Sequence, residues 1–210
     1  APCTFELKLN LDCEFSIVLA RTFNGDIMVY PLIINQHESG ILDYSSIHPK
    51  SIAVLLENHA IKLAKKIANE LSYVGVMAVE FFLSTDGIFV NEIAPRPHNS
   101  GHFSIDACVY NQFDQQVLTL AGDGLKKEVT KFPISLMLNL LGDLWFRNKN
   151  LKEPKFRMIT GPGINLHLYG KEEPRIGRKM GHITILGLKN ESQKDVSKKA
   201  EAIRKILWEN

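Results

Sequence analysis

Two glutamates sit in the middle of apolar, strand-like runs, Glu80 in VMAVEFF and Glu92 in IFVNEIAP. A carboxylate in such a setting is costly to bury without a compensating partner. The intervening Ser84-Thr85-Asp86-Gly87 reads as a tight turn. A three-residue loop Thr85-Asp86-Gly87 with Gly87 left-handed pairs residue 84 with 88, and that register sets Glu80 directly opposite Glu92. Like charges so placed repel. Two arrangements relieve them. Either a divalent cation lies between the carboxylates, and an all-oxygen pair suits Mg²⁺, or one faces solvent while the other pairs with a Lys or Arg.

The second of these strands runs into Asn91-Glu92-Ile93-Ala94-Pro95-Arg96-Pro97-His98-Asn99-Ser100-Gly101-His102. Arg96 is a two-pronged donor for a carboxylate or phosphate, and His98 or Asn99 could orient a small anion. Prolines on both sides of Arg96 restrict the backbone, which favours a binding loop over a merely polar one. A second cationic stretch, Lys171 to His182, places Lys171, Arg175, Arg178 and Lys179 beside turn-forming Pro174 and Gly177. It reads either as a phosphate clamp or as a solvated turn. His37, Glu6 and Glu14 stand alone and by spacing are surface or structural residues.

The elements that must position these groups follow from periodicity. Residues 13–22 and 27–36 are β-rich and flank Asn24-Gly25, a hairpin signal. Residues 38–49 read as irregular. From Ser51 to Leu71 apolar residues recur at Ile52, Leu55, Leu56, Leu63, Ile67 and Leu71, the pattern of an amphipathic helix. Residues 74–83 and 88–93 form the glutamate hairpin, residues 94–102 a loop, and residues 104–120 a helix ending at Ala121-Gly122. Short strands over 134–141, 164–169 and 182–186 and a closing helix over 191–208 complete an α+β chain. A boundary near 122–130 divides it into domains of residues 1–125 and 126–210, the second small and β-rich.

Composition narrows the class. The 210 residues are 45% hydrophobic and 23% charged, with 14 Gly and 9 Pro, as in an ordinary folded protein. The longest apolar candidate, residues 134–142, falls far short of the roughly 20 residues of a membrane helix. A net charge of +2 gives no bulk argument for a nucleic-acid partner. Three cysteines without CxxC spacing indicate free thiols in a reducing, cytoplasmic setting. The opening APCTFELKLN lacks the features of a signal peptide and reads as a start within a domain.

The strings NEIAPRPHNSGH and GKEEPRIGRKMGH, with DCEFSIVLAR followed by NQHESGIL, resemble the N5-carboxyaminoimidazole ribonucleotide synthases, ATP-grasp enzymes of purine biosynthesis. The resemblance runs through essentially the whole chain. It implies the C-terminal part of an ATP-grasp domain, an antiparallel sheet with helices, followed by a small β-rich domain. It implies ATP and Mg²⁺ as cofactors, with Glu80 and Glu92 holding the metal and Asn91 beside them. Glu6, Leu7, Lys8 and Leu9 would form the adenine hinge, Glu14 would accept the ribose hydroxyls, and His37 would lie near the nucleotide. Arg96, His98 and Asn99 would hold bicarbonate and the carboxyphosphate made from it, and Lys171 and Arg178, with Arg96, would bind aminoimidazole ribonucleotide. The implied reaction is ATP-driven carboxylation of an amine, which needs positioning and charge neutralisation and no nucleophilic side chain. It also implies that the family's N-terminal domain and the first part of its ATP-grasp domain are missing, so that this chain by itself is inactive or nearly so. A homodimer stays open, as do two rivals: another ATP-grasp ligase, such as a formate-dependent glycinamide ribonucleotide transformylase, and a non-catalytic nucleotide-binding fragment.

Overall fold

The computed structural model describes residues 3, 5–127, 130–147 and 153–208. Its strands are β1 (Cys13–Arg21), β2 (Ile27–Val29), β3 (Ile33–Glu38), β4 (Ile41–Ile47), β5 (Gly75–Ser84), β6 (Gly87–Ala94), β7 (Ser135–Leu141), β8 (Ile164–Leu168) and β9 (Lys179–Leu186). The helices are α1 (Val54–Glu70), α2 (Ser104–Ala107), α3 (Gln112–Ala121), α4 (Leu144–Arg147) and α5 (Gln193–Trp208). All nine strands join one sheet, ordered β6-β5-β1-β3-β4-β7-β9-β8, with β2 also on β1. The segment expected to divide the chain, of which Glu128 and Val129 lie outside the described residues, connects α3 to β7. The sheet passes across it, because β4 pairs with β7 from Tyr44↔Leu138 to Ile47↔Ser135.

Strand alternation gives the sheet two unlike faces. Phe15, Ile17 and Leu19 of β1 and Met77, Val79 and Phe81 of β5 pack against Ala60, Ala64 and Ala68 of α1. The buried stripe of α1 is therefore alanine at every fourth position, which lets the helix lie close to the sheet. Leu55 and Leu71, expected on that face, are 83% and 57% exposed, and the helix starts at Val54 rather than Ser51. Leu136, Leu138, Leu140, Ile183 and Ile185 pack on Val196, Ala200, Ile203 and Leu207 of α5. On the other face Val18, Ala20, Val76 and Ala78 pack with Phe103 and Ala107. The alternation that aims Val76 and Ala78 inward there also aims Glu80.

Two further stretches depart from expectation. Residues 41–47 form β4 instead of an irregular segment, with Ser45 and Ser46 buried in it. The helix expected over 104–120 is broken: a 3-10 turn at Asn99–Phe103 and the short α2 precede an extended Cys108, and α3 restarts at Gln112. Asn111 caps that restart by accepting from the Phe113 and Asp114 amides, while the Asp114 side chain accepts from the Asn111 amide. Gly122, left-handed, ends it. Among the described residues no helix is long and apolar enough to cross a membrane.

Candidate active site

Glu80 stands opposite Glu92, but not through the expected loop. The turn has two residues, since Ser84 pairs with Gly87, and the register then slips so that Phe81 pairs with Val90 and Glu80 with Glu92. Asn91 is the extra residue of a β-bulge. Without the slip Asn91 would face Glu80. Glu80 is 7% exposed, and its closest basic contact is His98 Nδ1 at 3.7 Å, beyond hydrogen-bond reach. Burial raises its pKa, His37 offsets part of that rise, and Glu92 adds to it. Buried Glu80 faces the exposed Glu92, and among the described residues no Lys or Arg lies within ion-pair distance of either, so the two could hold Mg²⁺.

The same face carries a polar row on β1 and β3. Ser16 pairs with Glu80 across β1 and β5, and its hydroxyl lies 2.6 Å from Asn35 Nδ2. His37 Nδ1 lies 2.6 Å from Glu14 Oε2. Two of the three isolated residues of the sequence thus meet each other one step along from the carboxylate pair. Glu6, Leu7 and Lys8 are exposed and Leu9 is half-buried in an irregular segment ahead of β1.

The loop after β6 is pinned from beneath. Gln112, fully buried, accepts from the His98 amide at 2.9 Å and donates to the His98 carbonyl at 2.8 Å. Its Nε2 also lies 2.8 Å from His102 Nδ1. Gly101 is needed there, because a Cβ would fall 2.5 Å from Gln112 Oε1. Tyr73 donates its hydroxyl to the Pro95 carbonyl at 2.8 Å. Held in this way, Arg96 projects outward, whereas His98 and Asn99 are buried. Both amide atoms of Asn99 are buried without a hydrogen-bond partner, a group left ready for a ligand. Burial, with Arg96 and Lys179 nearby, lowers the His98 pKa to about 4, so at neutral pH the ring offers hydrogen bonds rather than charge. Its Nδ1 sits 2.9 Å from Ser100 Oγ.

The cationic turn divides its work. Arg178 donates to the Glu173 carbonyl at 2.7 Å, and Lys171 lies 5.4 Å from the centre of the Tyr169 ring. The turn is docked on the α4 region, where Gly142 N–H donates to the Arg178 carbonyl at 2.8 Å and Gly177 N–H to Asp143 Oδ2 at 2.7 Å. Lys179 is the cation that faces the carboxylates. Its pKa is lowered by burial and by Arg96, and raised in part by Glu80 and Glu92. Another slip puts it there: Leu140 pairs with Gly181 but Leu141 with Lys179, so Met180 is the bulged residue. Sequence reasoning missed Lys179 and Gln112. Lys179 was visible only as one of four neighbouring cations, and Gln112 carried no signal.

Residues 1–113 match the ATP-grasp domain, and residues 135–196 match the phosphoribosylaminoimidazole carboxylase C-terminal domain. The N5-carboxyaminoimidazole ribonucleotide synthase of Staphylococcus saprophyticus is 40% identical over 185 residues, 88% of this chain and 48% of that protein. The corresponding synthetase of Thermus thermophilus superimposes with a TM-score of 0.83 at 31% identity, over 97% of this chain and 53% of that one. The Staphylococcus aureus enzyme complexed with ADP does so with a TM-score of 0.78 at 37% identity, over 94% and 52%. The chain spans about half the length of the curated relatives it matches. The chain belongs to the ATP-grasp family.

Proposed function

We propose that this chain, with the N-terminal portion found in its relatives, carboxylates 5-aminoimidazole ribonucleotide using ATP and bicarbonate, releasing ADP and phosphate. The observation that carries this reading is the buried Glu80, opposed to Glu92, beside a pinned loop that presents Arg96 and the partnerless amide of Asn99. Glu80 and Glu92 hold Mg²⁺, which supplies charge neutralisation on the transferring phosphoryl group. Asn91 lies beside them, Glu14 and His37 face the nucleotide ribose side, and Glu6, Leu7, Lys8 and Leu9 serve the adenine.

Bicarbonate oxygen attacks the γ-phosphorus of ATP, giving carboxyphosphate and ADP. The exocyclic amine then attacks the carboxyl carbon, phosphate leaves, and the nitrogen loses a proton. Arg96 and Lys179 bind the anionic oxygens, Asn99 donates and accepts at its free amide, and neutral His98 orients the bicarbonate without competing for the cations. Preorganisation is supplied by Gln112, which fixes the loop before substrate arrives. Lys171 and Arg178 take the 5′-phosphate of the ribonucleotide. A cytoplasmic setting and homodimeric assembly accompany the reading, as does the division into residues 1–125 and 126–210.

The test is ADP release from Mg²⁺-ATP and bicarbonate, with and without aminoimidazole ribonucleotide. It is run on the chain alone and with the N-terminal half of the S. saprophyticus relative supplied. Ribonucleotide-dependent release only in the supplemented sample is expected. No release in either, or release that instead requires formate and glycinamide ribonucleotide, would overturn the assignment.

A further inference from the structure

At the far edge of the same sheet face lies a group the reaction above does not use. The β8–β9 register sets His167 opposite His182, and their rings stack with centroids 4.5 Å apart. Asp106, projecting from α2, approaches His167 Nε2 with both oxygens, at 3.1 and 2.9 Å. One donor atom from each of the three residues lies within 4.8 Å of the others. His182 is 1% exposed and its Nε2 is buried without a partner. Its other nitrogen is 2.9 Å from the Tyr169 hydroxyl.

We infer that His167, His182 and Asp106 form a transition-metal site, one that takes Zn²⁺ in preference to Mg²⁺, distinct from the carboxylate pair. The donor chemistry separates the two. Two imidazoles and one carboxylate suit Zn²⁺, whereas the all-oxygen Glu80 and Glu92 suit Mg²⁺. The unpartnered Nε2 of His182 is the free ligand atom, and Tyr169 on Nδ1 is the outer hydrogen bond that holds a ligating imidazole in its tautomer. The Asp106 side chain is only 13% exposed and gains a full countercharge in place of one imidazole hydrogen bond. Tetrahedral coordination at bond lengths near 2.0–2.1 Å sets donors about 3.3 Å apart, a closure that side-chain rotation supplies. The side chain of His167, 33% exposed, leaves a route for the ion and room for a water as fourth ligand. Bound there, Zn²⁺ staples α2, next to the anion-binding loop, to strands that belong to the second matched region.

The experiment titrates the chelator-treated chain with Zn²⁺ in competition with a chromophoric chelator, and records the visible spectrum after Co²⁺ is added. His167→Gln and Asp106→Asn are chosen because both positions are partly open, and circular dichroism checks that each variant is folded. Expected are one Zn²⁺ per chain, tetrahedral Co²⁺ bands without a thiolate charge-transfer band, and affinity weakened by roughly 100-fold in either variant. No binding by the folded chain would overturn the proposal. So would binding that survives in both variants, or a thiolate band assigning the metal to Cys3 or Cys13.

Discussion

Two of the three β-bulges among the described strands are the same device turned to opposite electrostatic ends. At β5–β6 the extra residue Asn91 brings an acid opposite an acid, leaving Glu80 buried against Glu92. At β7–β9 the extra residue Met180 brings a base, Lys179, onto the same face. Each charge is strained by its own surroundings: burial raises the Glu80 pKa and lowers that of Lys179. Each is relieved in part by the other. A buried carboxylate and a buried ammonium are therefore kept half-compensated across one face. A regular strand pair would have turned Lys179 to the α5 side and set Asn91 in place of Glu92.

The largest effect expected separates the basic from the acidic side by sign. His98, His102 and His182 are neutral in the folded chain, with pKa values lowered by burial to about 4, about 4 and about 3. The unfolded rings bind protons from about 6.5 downward, so the unfolded state holds more protons between that value and the folded ones. Stability is thus lost as pH falls through the window from about 6.5 to 4, by several kcal/mol in total, on the order set by linkage. Glu80 acts oppositely. Its raised pKa imposes a cost that is absent below its unfolded value and grows as pH rises through the folded one. Urea melts across pH 4–8 should show Glu80→Gln more stabilising at pH 8 than at pH 4.5, and an equal effect at both would break the comparison.

Next in size is Glu92→Gln, which should weaken Mg²⁺-dependent ADP binding by roughly 100-fold while raising the melting temperature of the metal-free chain by removing the repulsion. Calorimetry that finds unchanged Mg²⁺ dependence would show that the acidic bulge holds no metal. Gln112→Ala should cost about 2–4 kcal/mol, since it leaves the His98 amide and carbonyl unpaired in a buried place. Hydrogen exchange at His98 and Gly101 reports the loosened loop. Lys179→Met should weaken binding of bicarbonate or phosphate by about tenfold, the loss of one charge-assisted contact. Arg175→Ala should change stability by under about 0.5 kcal/mol, because its pair with Glu173 is about 70% exposed on both sides.

Periodicity located β1, β5, β7, β9, α1 and α5, and the opposition of Glu80 to Glu92 was legible. It was reached with a three-residue loop where the chain uses a two-residue turn and a bulge, two offsets of one residue that cancel. A bulge leaves no mark in alternation, which is why Lys179 could not be told from Arg178. Strand β4 escaped because Asp43, Tyr44, Ser45 and Ser46 look polar, although a strand in the middle of a wide sheet can bury small hydroxyls. The buried face of α1 was read in part, since Ile52, Leu63 and Ile67 do pack on the same core, but the centre of that face is alanine, which carries little hydrophobic weight and yet sets how near the helix approaches. Gln112 was invisible because its partners are backbone groups of a loop fourteen residues earlier.

The seam between β4 and β7 also governs when the molecule can form. Ile47 must wait for Ser135 before its strand gains its second neighbour, and at ribosomal rates the intervening chain takes on the order of 10 s to appear. For that interval the hydrogen-bonding groups of β4 line an open border, the kind of border that recruits other chains. The buried serines of β4 make it a poorly adhesive one. Biogenesis is thereby tied to a late event, and a chain interrupted before Ser135 would carry the Glu80 face half built alongside an unsealed edge.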